Sequence, residues 1–170
     1  MNNTMRVILS AALIASLAAC SKKVKEEAPV VTPEPTPTET PAVVDDGKFG
    51  PEDLDSDSCL RQRVVYFDFD KAEIRAEAQA ILACHGKYLT DRPSAAITLE
   101  GHADERGTRE YNLGLGERRG NAVSSALQAN GGSASQLNVV SYGEERPTCS
   151  DSNEECWGKN RRVEIVYTAK

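Results

Sequence analysis

Residues 100–120 read EGHADERGTREYNLGLGERRG. No other stretch is so dense in charge and glycine. Thr108 is a natural helix cap, and Asn130-Gly131-Gly132 is a natural stop. Together they predict a helix from about Arg109 to Ala129. Steps of three and four keep Asn112, Leu115 and Arg119 on one stripe, which continues to Val123 and Ala126. The stripe is otherwise a core face, so an arginine on it needs an anionic partner, because an unpaired buried charge costs several kcal/mol. The nearest candidate is Asp104, in the GHADERG turn ahead of the helix. Gly107 permits a sharp reversal there, and the helix start presents free N–H groups. Two arrangements fit these residues. In one, Asp104 and Arg119 close on each other as an ion pair. In the other they stand apart as an open site for a zwitterion, the carboxylate taking an ammonium and the guanidinium fork a carboxylate. Asn112 adds an amide with both donor and acceptor.

Outward from this helix, the chain alternates between strand and helix patterns. RVVYFDF predicts a strand at Arg63–Phe69, and apolar residues at helical steps predict a helix from Glu73 to Thr90, barred from continuing by Pro93. AAITLEGH and LNVVSYG are the second and third strands, and RRVEIVYT the fourth. The predicted order is β-α-β-α-β-loop-β, an α/β (α+β sandwich) fold with a mixed four-stranded sheet and helices on one face. The compact domain is expected over residues 59–170.

The start of the chain, MNNTMRVILSAALIASLAAC, has the charge order and length of a secretory signal over residues 1–19. Leu17-Ala18-Ala19-Cys20 resembles the lipobox of bacterial lipoproteins, which implies that Cys20 is lipidated. Ser21, in place of Asp, implies outer-membrane sorting by the same resemblance. Five of the eight prolines lie between Pro29 and Pro41. Residues 20–58 therefore read as a lipidated N-terminus and an extended tether, some thirty residues of which reach roughly 90 Å. DLDSDS has the alternating aspartates of a calcium loop. Ser58 replaces the turn glycine and Val64 the bidentate glutamate, so the expectation is a solvated acidic linker and no metal.

A net charge of −6 argues against a nucleic-acid partner. Beyond Cys20 there are four cysteines, which in an exported chain allow three disulfide pairings. The favoured one joins Cys149 to Cys156 within one polar loop and Cys59 to Cys84. Loop entropy assigns these ~2.5 and ~3.5 kcal/mol. Free thiols or a zinc site is the alternative, although there is no C-x-x-C pair.

VVYFDFDKAEI, ITLEGHADERGTREYNLGLGERRGNAV, VVSYGEERP and NRRVEIVY cover nearly all of residues 63–167. In order and spacing they resemble the OmpA-like peptidoglycan-binding domain, more narrowly its lipid-anchored outer-membrane branch that works with the Tol system. The resemblance implies a non-catalytic module without cofactors, which faces the periplasm, binds the diaminopimelate of the peptidoglycan stem peptide, and has Tol-system proteins such as TolB as partners. It favours the open site. By position, Asp104 takes the ammonium and Arg119 the carboxylate, Asn112 and Arg106 hydrogen-bond around them, Leu115 packs on the aliphatic chain, and Phe69 and Asp70 form the facing wall. Gly120 stands where the family usually has alanine, and Gly114 and Gly116 further loosen the helix. Arg161 and Arg162 are ambiguous between a pocket flank and a solvated edge. His85 and His102 are expected to be packed and hydrogen-bonded, and Trp157 to close the disulfide loop over the sheet. The rival reading is a cell-wall enzyme using Asp68, Asp70, Asp104 and His102, but no nucleophile pair, H-E-x-x-H or P-loop supports it.

Overall fold

The computed structural model describes residues 46–170; the expected signal, Cys20 and the proline-rich tether up to residue 45 lie outside the described residues. The elements in order are α1 (Asp53–Ser56), β1 (Val64–Tyr66), α2 (Ala76–Asp91), β2 (Ala96–His102), α3 (Arg109–Ala129), a 3-10 turn (Ala134–Gln136), β3 (Leu137–Gly143), α4 (Glu154–Asn160) and β4 (Arg162–Ala169). The four strands form one mixed sheet in the order β1-β4-β2-β3. β2 and β3 are parallel, and β4 runs antiparallel to both β1 and β2.

Alternation along the strands sets the core. Val65, Ile97, Leu99, Val163 and Ile165 point to one face and pack with Leu82 and Leu89 of α2 and Val123 and Leu127 of α3. The opposite positions, among them Glu100, His102, Arg162 and Glu164, lie on the other face of the sheet. α3 has the bounds its caps predict: the Thr108 hydroxyl accepts from Tyr111 N–H, and Gly131 turns the chain out at φ +103°.

α3 crosses the sheet closely. A methyl group on Gly101 would stand 2.0 Å from Gly116 O, and one on Gly116 would stand 2.3 Å from Ser141 Oγ. Gly116 therefore does more than loosen the helix: with Gly101 it lets α3 settle directly onto β2, drawing the start of the helix down to the C-terminal end of that strand.

The domain begins earlier than residue 59. Leu54 and Leu60 are fully buried in the core, and Phe49 packs on Tyr88. The DLDSDS aspartates are also not simply solvated. Asp53 accepts from Gly50 N–H (2.7 Å), Asp55 from Arg63 (3.0 Å), and Asp57 caps the N–H groups of Cys59 (2.8 Å) and Leu60 (3.0 Å). Two leucines inside an acidic run are enough to dock the segment. β1 is shorter than predicted, because the chain leaves the sheet after Phe67 to form a loop in which Asp70 takes the left-handed conformation, φ +55°. Both favoured disulfides are present, Cys59–Cys84 and Cys149–Cys156, with Cα–Cα distances of 6.3 and 5.2 Å.

Candidate functional site

β2 delivers Asp104 just past its C-terminal end, and Gly107, at φ +120°, reverses the chain into α3. The first turns of α3 then place Tyr111, Asn112 and Leu115 opposite the loop after β1. Between them lies a notch of about 230 Å³ lined by Phe69, Asp70, Asp104, Arg106, Gly107, Tyr111, Asn112 and Leu115. Six of the seven residues expected to meet the ligand are on this lining.

The seventh, Arg119, is not. It is completely buried beneath the notch. Its guanidinium donates to three backbone carbonyls: Nε to Lys71 (2.8 Å), Nη1 to His102 (2.8 Å) and Nη2 to Asp68 (3.1 Å). Neither expected arrangement is seen, since Arg119 is neither open to the notch nor paired with Asp104. Burial pulls its pKa down to about 10, and the charge of Asp104 is the main influence in the other direction. Arg119 remains cationic and acts on the notch through space while tying the loop after β1 to the end of β2.

The cation on the wall is Arg106. It grips Asp104 with Nε on Oδ1 (3.1 Å) and Nη2 on Oδ2 (2.8 Å), and its backbone N–H adds a third bond to Oδ1 (3.1 Å). Arg161 supplies a second guanidinium, Nη1 to Asp104 Oδ2 at 3.3 Å, and is itself balanced by Glu154 Oε1 at 2.5 Å. Burial pushes the Asp104 carboxyl upward, but the bonds from Arg106 and Arg161 outweigh it and hold the pKa below the ordinary range. Two carboxylates and two guanidinium groups thus meet at one wall with no excess of either sign. On the facing side Asp70 accepts from the Tyr111 hydroxyl. Asn112 donates from Nδ2 to Asp104 O (3.1 Å) and Glu144 Oε2 (2.5 Å).

Arg161 and Arg162 are both buried, and for different reasons. Arg161 caps α4 outside the strand, so alternation does not govern it. Arg162 pairs with Glu164 (2.6 Å) on the sheet face away from the helices. Neither is a solvated edge: Arg161 is held by Asp104 and Glu154, and β4, which begins at Arg162, is an inner strand. Sequence reasoning missed Tyr111, whose only signal was an aromatic beside the cap, and it missed the ring of Trp157 standing over Arg106.

His85 meets its expectation, bonded to the Tyr167 hydroxyl (2.7 Å) and Gln62 O (3.0 Å). His102 does not: it is buried, and neither ring nitrogen has a hydrogen-bond partner. Burial first, and then Arg162, lowers its pKa to about 4, against an opposing pull from Glu164. A folded-state pKa below the unfolded value means stability is complete above about pH 6.5 and falls between there and about pH 4. The expected loss is at most ~3 kcal/mol. His102→Phe, which removes two unpaired nitrogens, should flatten much of that slope in urea unfolding at pH 7 and pH 5, leaving the contribution of His85, whose pKa burial also lowers. An unchanged slope would show that His102 is not the group responsible.

The family model for the OmpA family matches residues 66–161. The chain belongs to the OmpA family. Within it, the peptidoglycan-associated lipoprotein of Pasteurella multocida is 38% identical over 98% of this chain and 100% of its own length. That of Pseudomonas aeruginosa is 45% identical over 66% of this chain and 67% of its own. Among solved structures, the peptidoglycan-associated lipoprotein from Burkholderia pseudomallei superposes with a TM-score of 0.67 at 42% identity, covering 68% of this chain and 98% of that one. The C-terminal domain of Helicobacter pylori MotB shares the fold, with a TM-score of 0.54 at 23% identity over 62% of this chain and 83% of that one.

Proposed function

We propose that the notch binds the diaminopimelate side chain of the peptidoglycan stem peptide, and that the chain thereby ties the outer membrane to the cell wall. The observation that carries this is the electrically balanced wall of Asp104, Arg106, Arg161 and Glu154 beside an open notch. A simple cation or anion gains little from a wall of both signs, whereas a group carrying an ammonium and a carboxylate at fixed separation meets both. In this reading Asp104, with Asp70 and the Asn112 carbonyl, seats the ammonium. Arg106 and the N–H groups after Gly107 receive the carboxylate, and Leu115 and Phe69 cover the methylene chain. Arg119 holds the walls in place and adds positive potential from below. The relatives named for association with peptidoglycan support peptidoglycan as the partner.

The module works by binding and not by catalysis. No helix among the described residues is long and apolar enough to cross a membrane. Residues 1–19 as a signal, acyl chains on Cys20 and the proline-rich segment as a tether supply the attachment, and tethering raises the effective concentration of the domain at the wall. Service in a Tol-type system with proteins such as TolB, in envelope integrity and in cell division, completes the proposal.

Co-sedimentation of the full chain with purified sacculi tests it. Retention on diaminopimelate-type peptidoglycan is expected to exceed that on lysine-type peptidoglycan by ~10-fold, because lysine offers the ammonium without the carboxylate. Equal retention on both would overturn the assignment.

A further inference from the structure

We propose that Trp157, carried on α4 directly after the Cys149–Cys156 disulfide, positions Arg106 as the cation for the ligand carboxylate and so sets the preference of the site for a carboxylate-bearing side chain. This rests on the reading of the notch given above and adds a residue outside its lining.

Arginine side chains are long and lose much rotamer freedom when fixed. Here the guanidinium is held between two rings, its central carbon 4.0 Å from the Phe69 ring centre and 4.1 Å from that of Trp157. Phe69 is more than half exposed and sits on the loop after β1, so it is the less constrained plate. Trp157 is anchored. Its indole N–H donates to Glu105 Oε1 (3.0 Å), which also accepts from the Ser152 hydroxyl (2.7 Å). Glu105 directly precedes Arg106, so one turn of chain supplies both the anchor of the ring and the cation beneath it.

The segment behind Trp157 is braced at both ends. The disulfide ties Cys149 to Cys156, the residue before the tryptophan. Asn153 caps α4 by accepting from Cys156 N–H (2.9 Å). The buried Asn160 closes the far end, accepting from the N–H groups of Thr148 (2.9 Å) and Cys149 (3.2 Å) and donating to Cys149 O (2.8 Å). These contacts brace α4 on both sides of Trp157, whose ring lies over Arg106. A cation held this way receives an anion without first being ordered, which raises affinity for that anion specifically.

The test is calorimetric titration of the full chain with a diaminopimelate-containing stem peptide and with the same peptide amidated at the side-chain carboxylate. The parent should prefer the carboxylate form by ~10-fold, and Trp157→Ala should lower that preference to roughly 2-fold. Cys149→Ser combined with Cys156→Ser should do the same. Trp157→Phe should restore most of the preference, and Cys59→Ser with Cys84→Ser should leave it at the parent value. Trp157 is the only tryptophan in the chain, so its emission should shift when the carboxylate peptide engages Arg106. Undiminished discrimination by Trp157→Ala, or unmoved emission with a peptide that calorimetry shows to be bound, overturns this inference alone. Binding of neither peptide by the parent overturns the reading of the notch and this inference with it.

Discussion

Asp104→Asn is expected to abolish retention on sacculi, with a loss of affinity of roughly 100-fold, while the domain stays folded. The carboxylate is the hub of the wall: Arg106 holds both of its oxygens and Arg161 holds one. An amide of the same shape turns its N–H groups toward donors of Arg106 in either orientation, and it leaves the wall with an excess of positive charge. The ligand ammonium then meets repulsion where it had met a carboxylate. Removing one member of a desolvated, hydrogen-bonded charge cluster costs ~2–5 kcal/mol, which is the basis for the predicted factor. Circular dichroism and thermal melting separate this loss from unfolding. Parent-like retention by a folded Asp104→Asn protein would remove Asp104 from the site.

Arg119→Ala is expected to act on the fold before it acts on the ligand. The side chain is fully buried and donates to three carbonyls, of Asp68, Lys71 and His102, of which Asp68 O keeps a second bond from Lys71 N–H (3.2 Å). Each buried carbonyl left unpaired costs ~1–3 kcal/mol, and the vacated space adds to that, although water entering it offsets part. A net loss of ~4 kcal/mol is a large share of the ~5–15 kcal/mol that holds a typical domain together. The urea midpoint should fall sharply, and Arg119→Lys should recover only part of it, since one ammonium does not span three carbonyls set around a planar fork. A midpoint close to the parent value in the alanine variant would mean that Arg119 does not hold the loop after β1. The two variants therefore part company: the amide at 104 loses the ligand and keeps the fold, while the alanine at 119 loses the fold and the ligand with it.

Much of this architecture is legible in the sequence because its signals are local. α3 has its cap, its stripe and its stop written in consecutive residues, and its observed bounds agree with them. The strands alternate, and the two disulfides follow from four cysteines with few sensible partners. The lining of the notch is legible through the motif that contains it. What escaped depends on groups without a sequence signature. Arg119 was expected to seek an anion, but backbone carbonyls satisfy it, and every residue carries one. Arg161 opens the RRVEIVYT stretch that reads as a strand, yet it belongs to the end of α4. Leu54 and Leu60 are two apolar residues in an acidic segment, too few to shift a composition-based boundary, but both are fully buried. Trp157 lies fifty-one positions from the arginine it covers, a juxtaposition that exists only in the folded chain.

The sheet order has a consequence for how the molecule comes into being. β1 touches no strand except β4, and β4 follows every other strand in the chain. Before Arg162 only β2 and β3 can pair, and β1 has no strand to join, so a product shortened there lacks the strand that links the two parts of the sheet. β4 is the staple between β1 and the β2–β3 pair, so the four-stranded sheet is complete only with the last segment of the chain.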